Sequence, residues 1–319
     1  METISRAAVL KQFATDFSID KVKVMATQKE VLVKVTASGI CGRDLVIWKG
    51  GFRNLSTPLI LGHENYGEME GKPVGVLGNI SCGQCEYCRK GEPNLCEKAT
   101  LLGEGRMGGY ADVIAVPRIN VFNLPDREYK KYAAAVCPVA TAIHASKLAN
   151  VKQGSRVLVT GAGGGVGIHT LQLLRRSGAE VIAQTSEEKA KIVQRWADKV
   201  ITSEQFAREA KGVDAVIELV GAPTLNESIR AVSKKGVVVV VGNVTGEPLT
   251  ITRPALLVMR ELEIIGSASY TPAEVLTAVN MIHEGTIEPV YREYSLEDIN
   301  SAYRDLREKR VIGRAILVH

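Results

Sequence analysis

Aromatic residues are scarce in this chain, at 5% of its 319 positions. Its cores must therefore be aliphatic, built from Val, Ile, Leu and Ala. Long apolar runs are missing as well: Val237 to Val241 is among the longest, and it is far too short to span a bilayer. No block of one charge sign exists. The 40 basic and 35 acidic residues are mixed along the sequence and leave a mild net charge of +5, which argues against nucleic acid or a membrane surface as a partner. The first residues, Met-Glu-Thr-Ile-Ser-Arg, lack the apolar core of a signal peptide. A cytoplasmic protein with reduced thiols is the expectation. The length suggests two domains, and an apolar content of 45% is that of an ordinary globule.

Cysteine is also sparse, with six residues, but its distribution is uneven. Cys82, Cys85, Cys88 and Cys96 fall in one loop, separated by two, two and seven residues. Zinc favours four borderline-soft ligands in a tetrahedron, and closely spaced thiolates can supply all of them. Such a site has no open position, so the loop predicts a structural zinc and the reaction must lie elsewhere. Free or disulfide-bonded cysteines are the alternative, and the regular spacing and the missing secretion signal weigh against it. Cys41 and Cys137 are left over. Gly62-His63-Glu64 follows the strand-like Leu59-Ile-Leu61. Two thiolates, an imidazole and an open or carboxylate position make a catalytic zinc site.

The first 125 residues read as short strands and turns, Val31–Val35 among them, with frequent Gly and Pro and no long helical period. From about residue 137 the pattern changes. Strands are predicted at 155–160, 179–183, 214–219 and 236–241, with a helix over 166–177, which is the βαβ pattern of a parallel sheet. The near-continuous aliphatic strands suit a sheet covered on both faces. Residues 273–283 and 296–310 have helical period, and 313–318 read as a closing strand.

Between the first of these strands and its helix lies Thr160-Gly161-Ala-Gly163-Gly164-Gly165-Val166-Gly167. Missing side chains let the backbone approach a pyrophosphate, and a helix N-terminus offers N–H groups and a positive dipole end. The best match to the dinucleotide fingerprint is the variant Ala162-x-Gly164-x-x-Gly167; the flanking strand and helix supply the context. Gly242, after the fourth strand, joins the candidate cofactor residues. The second strand ends in Gln184-Thr185-Ser186 rather than in an acid. Hydroxyls with Lys189 nearby suit a 2′-phosphate, so NADP(H) is favoured over NAD(H), unless Glu187 folds back onto the ribose.

Together these elements make the chain similar to the zinc-dependent medium-chain dehydrogenases/reductases, the alcohol dehydrogenase family. The resemblance is carried by Gly39-Ile-Cys41-Gly-Arg43-Asp44, Gly62-His63-Glu64-x-x-Gly67, the four-cysteine loop, Gly108-Gly-Tyr-Ala111, Cys137-x-x-x-Thr141, the glycine loop and Gly313-Arg314. It implies an α/β chain. A GroES-like irregular β domain over 1–137, completed by 271–319, would accompany a Rossmann doubly wound parallel sheet over 138–270, with the active site in the cleft between them. It implies two zinc ions per chain. Cys41, His63 and Cys137 would hold the catalytic one, with Glu64 as a carboxylate that coordinates or swings away. Thr141 would lie near the nicotinamide and Arg314 near the pyrophosphate. A homodimer or homotetramer acting on a small molecule is implied too, with the Val237–Val241 edge and the 251–265 segment as interface elements.

The chain departs from the family in places. Where the family commonly carries a Ser or Thr that relays the substrate proton, this sequence has Arg43, which stays protonated and cannot relay. Arg43 either binds a cofactor or substrate phosphate or pairs with Asp44 or another acid. The stretch between Gly67 and Cys82 is short, so its hairpin must be trimmed. Cys41-x-Arg43-Asp44-Leu45 and the 185–191 segment look closer to archaeal acryloyl-CoA reductases, in which case Arg43, Lys49 and Arg53 could bind CoA phosphates. The leading expectation is an alcohol dehydrogenase or ketone reductase, with an enoyl-CoA reductase second and a non-enzymatic relative, comparable to eye-lens proteins, third. Trp48, Leu55, Leu102 and Met107 are candidate pocket residues, or else core.

Overall fold

The computed structural model describes residues 1–319. Two compact units are present, Met1–Cys137 with Thr271–His319, and Pro138–Tyr270. The first begins with an antiparallel pair, β1 (Glu2–Val9) and β2 (Ser18–Met25). Then come β3 (Glu30–Ile40), helix α1 (Gly42–Trp48), β4 (Glu64–Met69), β5 (Lys72–Val76), β6 (Asn79–Ile80), α2 (Glu86–Arg89), β7 (Thr100–Leu101), β8 (Val113–Pro117) and β9 (Val121–Asn123). Alternation places Val31, Val33 and Val35 of β3 on one face, where they pack with Val74, Val76, Ile114 and Val116. The β4–β5 hairpin is trimmed to a two-residue turn, Glu70-Gly71, with φ of 54° and 75°. Two positive φ values give the turn twist that a tight hairpin needs.

Leu59–Leu61 is not a strand. Between Pro58 and Gly62 it is too short to build a ladder, and it makes one bridge, Leu10 to Leu59. It is fastened instead by the Gly108 N–H to the Ile60 carbonyl (2.8 Å) and the Tyr110 N–H to the Leu61 carbonyl (3.0 Å). Helix α3 (Tyr129–Leu148) has no counterpart among the predicted elements. Every residue from 133 to 142 is buried, and a helix covered all round shows no amphipathic stripe.

The second unit holds β10 (Arg156–Val159), α4 (Gly165–Arg176), β11 (Glu180–Gln184), α5 (Glu187–Val193), β12 (Lys199–Ile201), β13 (Val213–Glu218), α6 (Leu225–Ala231), β14 (Val232–Val240), α7 (Ala255–Arg260) and β15 (Glu263–Gly266). The six strands are parallel in the order β12-β11-β10-β13-β14-β15. Val157, Val159, Val181, Ile217 and Val239 bury one face. Leu158, Ile182, Val216 and Val238 bury the other. This is a doubly wound sheet covered on both sides. β14, predicted as an exposed edge, is internal: four-residue β15 pairs with it and takes the edge.

The chain then returns to the first unit through α8 (Pro272–His283), β16 (Tyr291–Ser295), α9 (Ile299–Arg307) and β17 (Arg314–Val318). β17 inserts between β16 and β3 in the sheet β16-β17-β3-β4-β5-β9, with β8 also on β3. That register sets Ala315 opposite Ile40 and so carries Arg314 to the end of β3. No helix is long and apolar enough to cross a membrane.

Candidate metal centres and nucleotide-binding loop

Each of Cys82, Cys85, Cys88 and Cys96 offers a sulfur within 4.8 Å of the other three, and no disulfide joins them. Short α2 starts just after Cys85 and carries Cys88. The Cys82 N–H donates to Cys96 Sγ (3.3 Å) and the Cys85 N–H to Cys82 Sγ (3.4 Å). Backbone N–H groups of Gln84 and Cys85 pull the Cys82 thiol down to about 6, while desolvation and its thiol neighbours push Cys88 up to about 11. Four converging sulfurs with N–H groups aimed at them form a donor set that fits zinc and leaves no free position.

The second cluster is Cys41, His63 and Glu64, whose ligand atoms also lie within 4.8 Å of one another. Cys41 sits between β3 and α1, and His63 directly before β4. The Cys137 thiol, on α3, hydrogen-bonds that of Cys41. This bond is the main reason Cys41 titrates well below an ordinary thiol, with Arg314 and His63 adding to it against the effect of burial. Asp44 organises the group from behind. Its Oδ2 accepts from the Cys41 N–H (2.9 Å) and the Tyr110 hydroxyl (2.8 Å), and its Oδ1 faces His63 Nδ1 at 3.3 Å, an electrostatic contact rather than an aligned hydrogen bond. Burial alone would lower the His63 pKa, but Asp44 and Cys41 outweigh it and raise it to about 10.

Glu64 is fully buried and forms a two-pronged pair with Arg314, Nε to Oε2 at 3.1 Å and the second contact shorter. The same guanidinium lies 3.9 Å from Cys137 Sγ. Gly39 makes room for the pair, since a Cβ there would stand 2.1 Å from Glu64 Oε2. Two thiols, an imidazole and a carboxylate in a buried place suit a zinc site with an exchangeable position.

In the second unit the glycine loop joins β10 to α4, with Gly164 capping the helix in extended conformation. A Cβ on Gly167 would stand 2.5 Å from the Gly161 carbonyl, and one on Gly163 would strike Lys189 and the Thr185 hydroxyl. The loop is therefore a close-packed backbone cradle at the N-terminus of a 12-residue helix, fit for a pyrophosphate. Thr185 is buried, Ser186 caps α5, and Lys189 lies over Gly163. One oxygen of the Glu187 carboxylate accepts from the Thr202 hydroxyl.

Family models match both units: the alcohol dehydrogenase GroES-like domain over residues 27–126 and the zinc-binding dehydrogenase domain over 165–284. The chain belongs to the zinc-type medium-chain dehydrogenases/reductases. Within this family it is 34% identical to an acryloyl-coenzyme A reductase of Metallosphaera sedula, covering 98% of this chain and 99% of that one. It is 30% identical to an NAD-dependent alcohol dehydrogenase of Saccharolobus solfataricus, over 98% and 99% of the two chains. An acetophenone reductase of Geotrichum candidum, solved with NAD, superposes with a TM-score of 0.92 at 27% identity, over 99% and 97% of the chains. The family accounts for oxidoreductase chemistry with zinc.

Of the roles the sequence leaves open, Arg43 takes that of a residue paired with an acid, but the acid is Glu104 and not Asp44. It forks onto both carboxylate oxygens of Glu104, with NH2 to Oε2 at 2.9 Å, and its guanidinium covers the Phe52 ring at 4.5 Å. Trp48 and Leu102 are buried core residues, and Leu55 and Met107 pack against the same cores. Arg314 is engaged with Glu64. Two functional groups escape sequence reasoning, Asp44 behind His63 and Glu218 at the end of β13. A buried-acid signal exists only for Glu218, which ends an otherwise aliphatic strand.

Proposed function

We propose that the protein is a nicotinamide-nucleotide-dependent reductase of a short α,β-unsaturated acyl-CoA, of the acryloyl-CoA type. The observation that carries this is Arg43, which stands where a proton-relaying hydroxyl is expected and is locked to Glu104. Alcohol–ketone exchange moves a proton onto or off the substrate oxygen, and an always-protonated guanidinium does not relay it. Enoyl reduction delivers hydride to the β-carbon and a proton to the α-carbon, breaking the C=C π bond, so no relay to oxygen is required. The likeness to the Metallosphaera sedula reductase over the whole chain supports the same reading.

Cys41, His63 and Cys137 would hold zinc, with Glu64 beside them, and the ion would act as a Lewis acid toward a substrate carbonyl oxygen. Cys82, Cys85, Cys88 and Cys96 would hold a second, structural zinc. The nicotinamide nucleotide would supply the hydride. The glycine loop and the N-terminus of α4 bind its pyrophosphate, with Thr141 and Gly242 as further cofactor contacts. Thr185, Ser186 and Lys189 favour NADP(H), because β11 ends in Gln184 rather than in an acid. Asp44 orients His63, and Arg314 holds Glu64. The half-exposed Arg43 presents a fixed cation to a CoA phosphate.

Alcohol–ketone exchange is the second reading, favoured by the four-residue donor set at the open site. NADPH and NADH oxidation, measured with acryloyl-CoA and with a ketone panel, separates the two. Acryloyl-CoA with NADPH is expected to give the highest kcat/KM. Turnover of ketones with none of acryloyl-CoA would reverse the assignment, and metal analysis below two zinc ions per chain would remove one of the two sites.

A further inference from the structure

We propose that Glu218 is a positioning residue of the nucleotide site, whose carboxylate clamps together the loops leaving the carboxyl ends of β10 and β13 and helix α6. The side chain is fully buried. Oε1 accepts from the Thr160 hydroxyl (2.7 Å), the Val220 N–H (2.9 Å), the Gly221 N–H (3.0 Å) and the Thr224 hydroxyl (2.7 Å), and Oε2 accepts from the Ser228 hydroxyl (2.5 Å). All these donors are neutral. Burying a carboxylate without a cation is expensive, and only a full set of donors makes it tolerable.

The donors come from the sites that must be registered to bind a dinucleotide. Thr160 opens the glycine loop, and its hydroxyl also accepts from the Leu219 N–H at 3.0 Å. Val220 and Gly221 form the loop after β13, where Val220 would touch a Cβ on Gly161 at 2.9 Å. The loop after β14 is fastened to the same point: the Val241 N–H donates to the Glu218 carbonyl (2.9 Å) and the Val244 N–H to that of Val220 (3.0 Å). In the order β12-β11-β10-β13-β14-β15 all strands are parallel, but successive strands are added on one side of β10 and then, from β13, on the other. A doubly wound sheet binds its ligand outside the carboxyl ends of the strands at such a point. Glu218 ends β13 at this point, and its buried carboxylate is taken up by protein donors, so its role is to fix the shape of the cradle.

The proposal rests on nucleotide binding by the second unit, part of the function proposed above. Its test is the dissociation constant for NADPH, followed by nucleotide fluorescence, on the full chain and on Glu218→Ala, Glu218→Gln and Thr224→Val, with zinc content and kcat at saturating NADPH recorded alongside. Glu218→Ala is expected to weaken binding about 30-fold, as the loss of several buried acceptors implies, with zinc content unchanged and kcat within about threefold. Glu218→Gln keeps a carbonyl acceptor for the Oε1 donors and is expected to recover most of that loss; Thr224→Val, which removes one donor, is expected to raise the constant about fivefold. A folded Glu218→Ala protein binding NADPH within twofold of the natural chain overturns the assignment, as does a fall in kcat or active fraction with the constant unmoved. If Glu218→Ala does not fold, unchanged binding in both other variants overturns it. Failure of the unaltered chain to bind either NADPH or NADH would overturn the proposed function as well, which distinguishes the two failures.

Discussion

Arg43 is the residue on which the proposed chemistry turns. Its position, two residues after Cys41, is visible in the sequence as a departure, but its partner is not. Glu104 lies 61 residues away, and only the fold brings the two together. A planar guanidinium held on both sides is a fixed cation, unlike a hydroxyl that can pass a proton on. Arg43→Thr is expected to lower kcat/KM for acryloyl-CoA about tenfold, the worth of one charge-assisted hydrogen bond, and to raise turnover of a secondary alcohol. Steady-state kinetics with both substrates checks this, and unchanged values for each would leave Arg43 outside the reaction. Asp44 teaches the complementary lesson. Its neighbours in the chain gave no hint that it would face His63, because that contact depends on how α1 meets the start of β4.

At the scale of elements, strongly periodic segments were the legible ones. The strands of the parallel sheet and helices α4, α8 and α9 lie within a few residues of where the pattern places them. α3 was not legible, because burial on all sides erased its period. β15 was missed because four residues carry little pattern. Helix α4 also carries a testable electrostatic feature. His169 is buried within it, with Nδ1 2.6 Å from the Gly165 carbonyl, and burial lowers its pKa from 6.5 to about 4. The unfolded chain therefore takes up the proton first. Stability that is fully present above pH 6.5 falls as the pH drops toward 4, by about 2–3 kcal/mol. In a Trp48→Phe background, urea unfolding followed by Trp196 fluorescence at pH 7 and pH 4.5 is expected to show this loss, and His169→Gln to remove most of it. An equal loss in the variant would mean that other groups carry the acid sensitivity.

At the scale of the whole molecule, the first unit is assembled from two distant stretches of chain, and its metal-site acid depends on both. Glu64 and Arg314 are 250 residues apart, meeting because β17 inserts beside β3. Removing one partner of a buried ion pair leaves an uncompensated charge, at a cost of about 3–5 kcal/mol. Arg314→Leu is expected to destabilise the first unit by that amount at pH 7, measured by urea unfolding with Trp48 fluorescence in a Trp196→Phe background. A change under about 1 kcal/mol would show that the pair does not hold Glu64 in place. The sequence alone determined the four-cysteine loop as a metal-binding candidate and the glycine loop as a nucleotide cradle, because short-range spacing and period dictate local ligand sets and local backbone shape, whereas the set Cys41, His63 and Cys137 rested on the family resemblance. Only the tertiary structure decided how the charges are satisfied: buried Glu64 by Arg314, exposed Arg43 by Glu104, buried Glu218 by its neutral donors. Those partners are chosen by sheet order and register, which bring together residues that no local pattern connects.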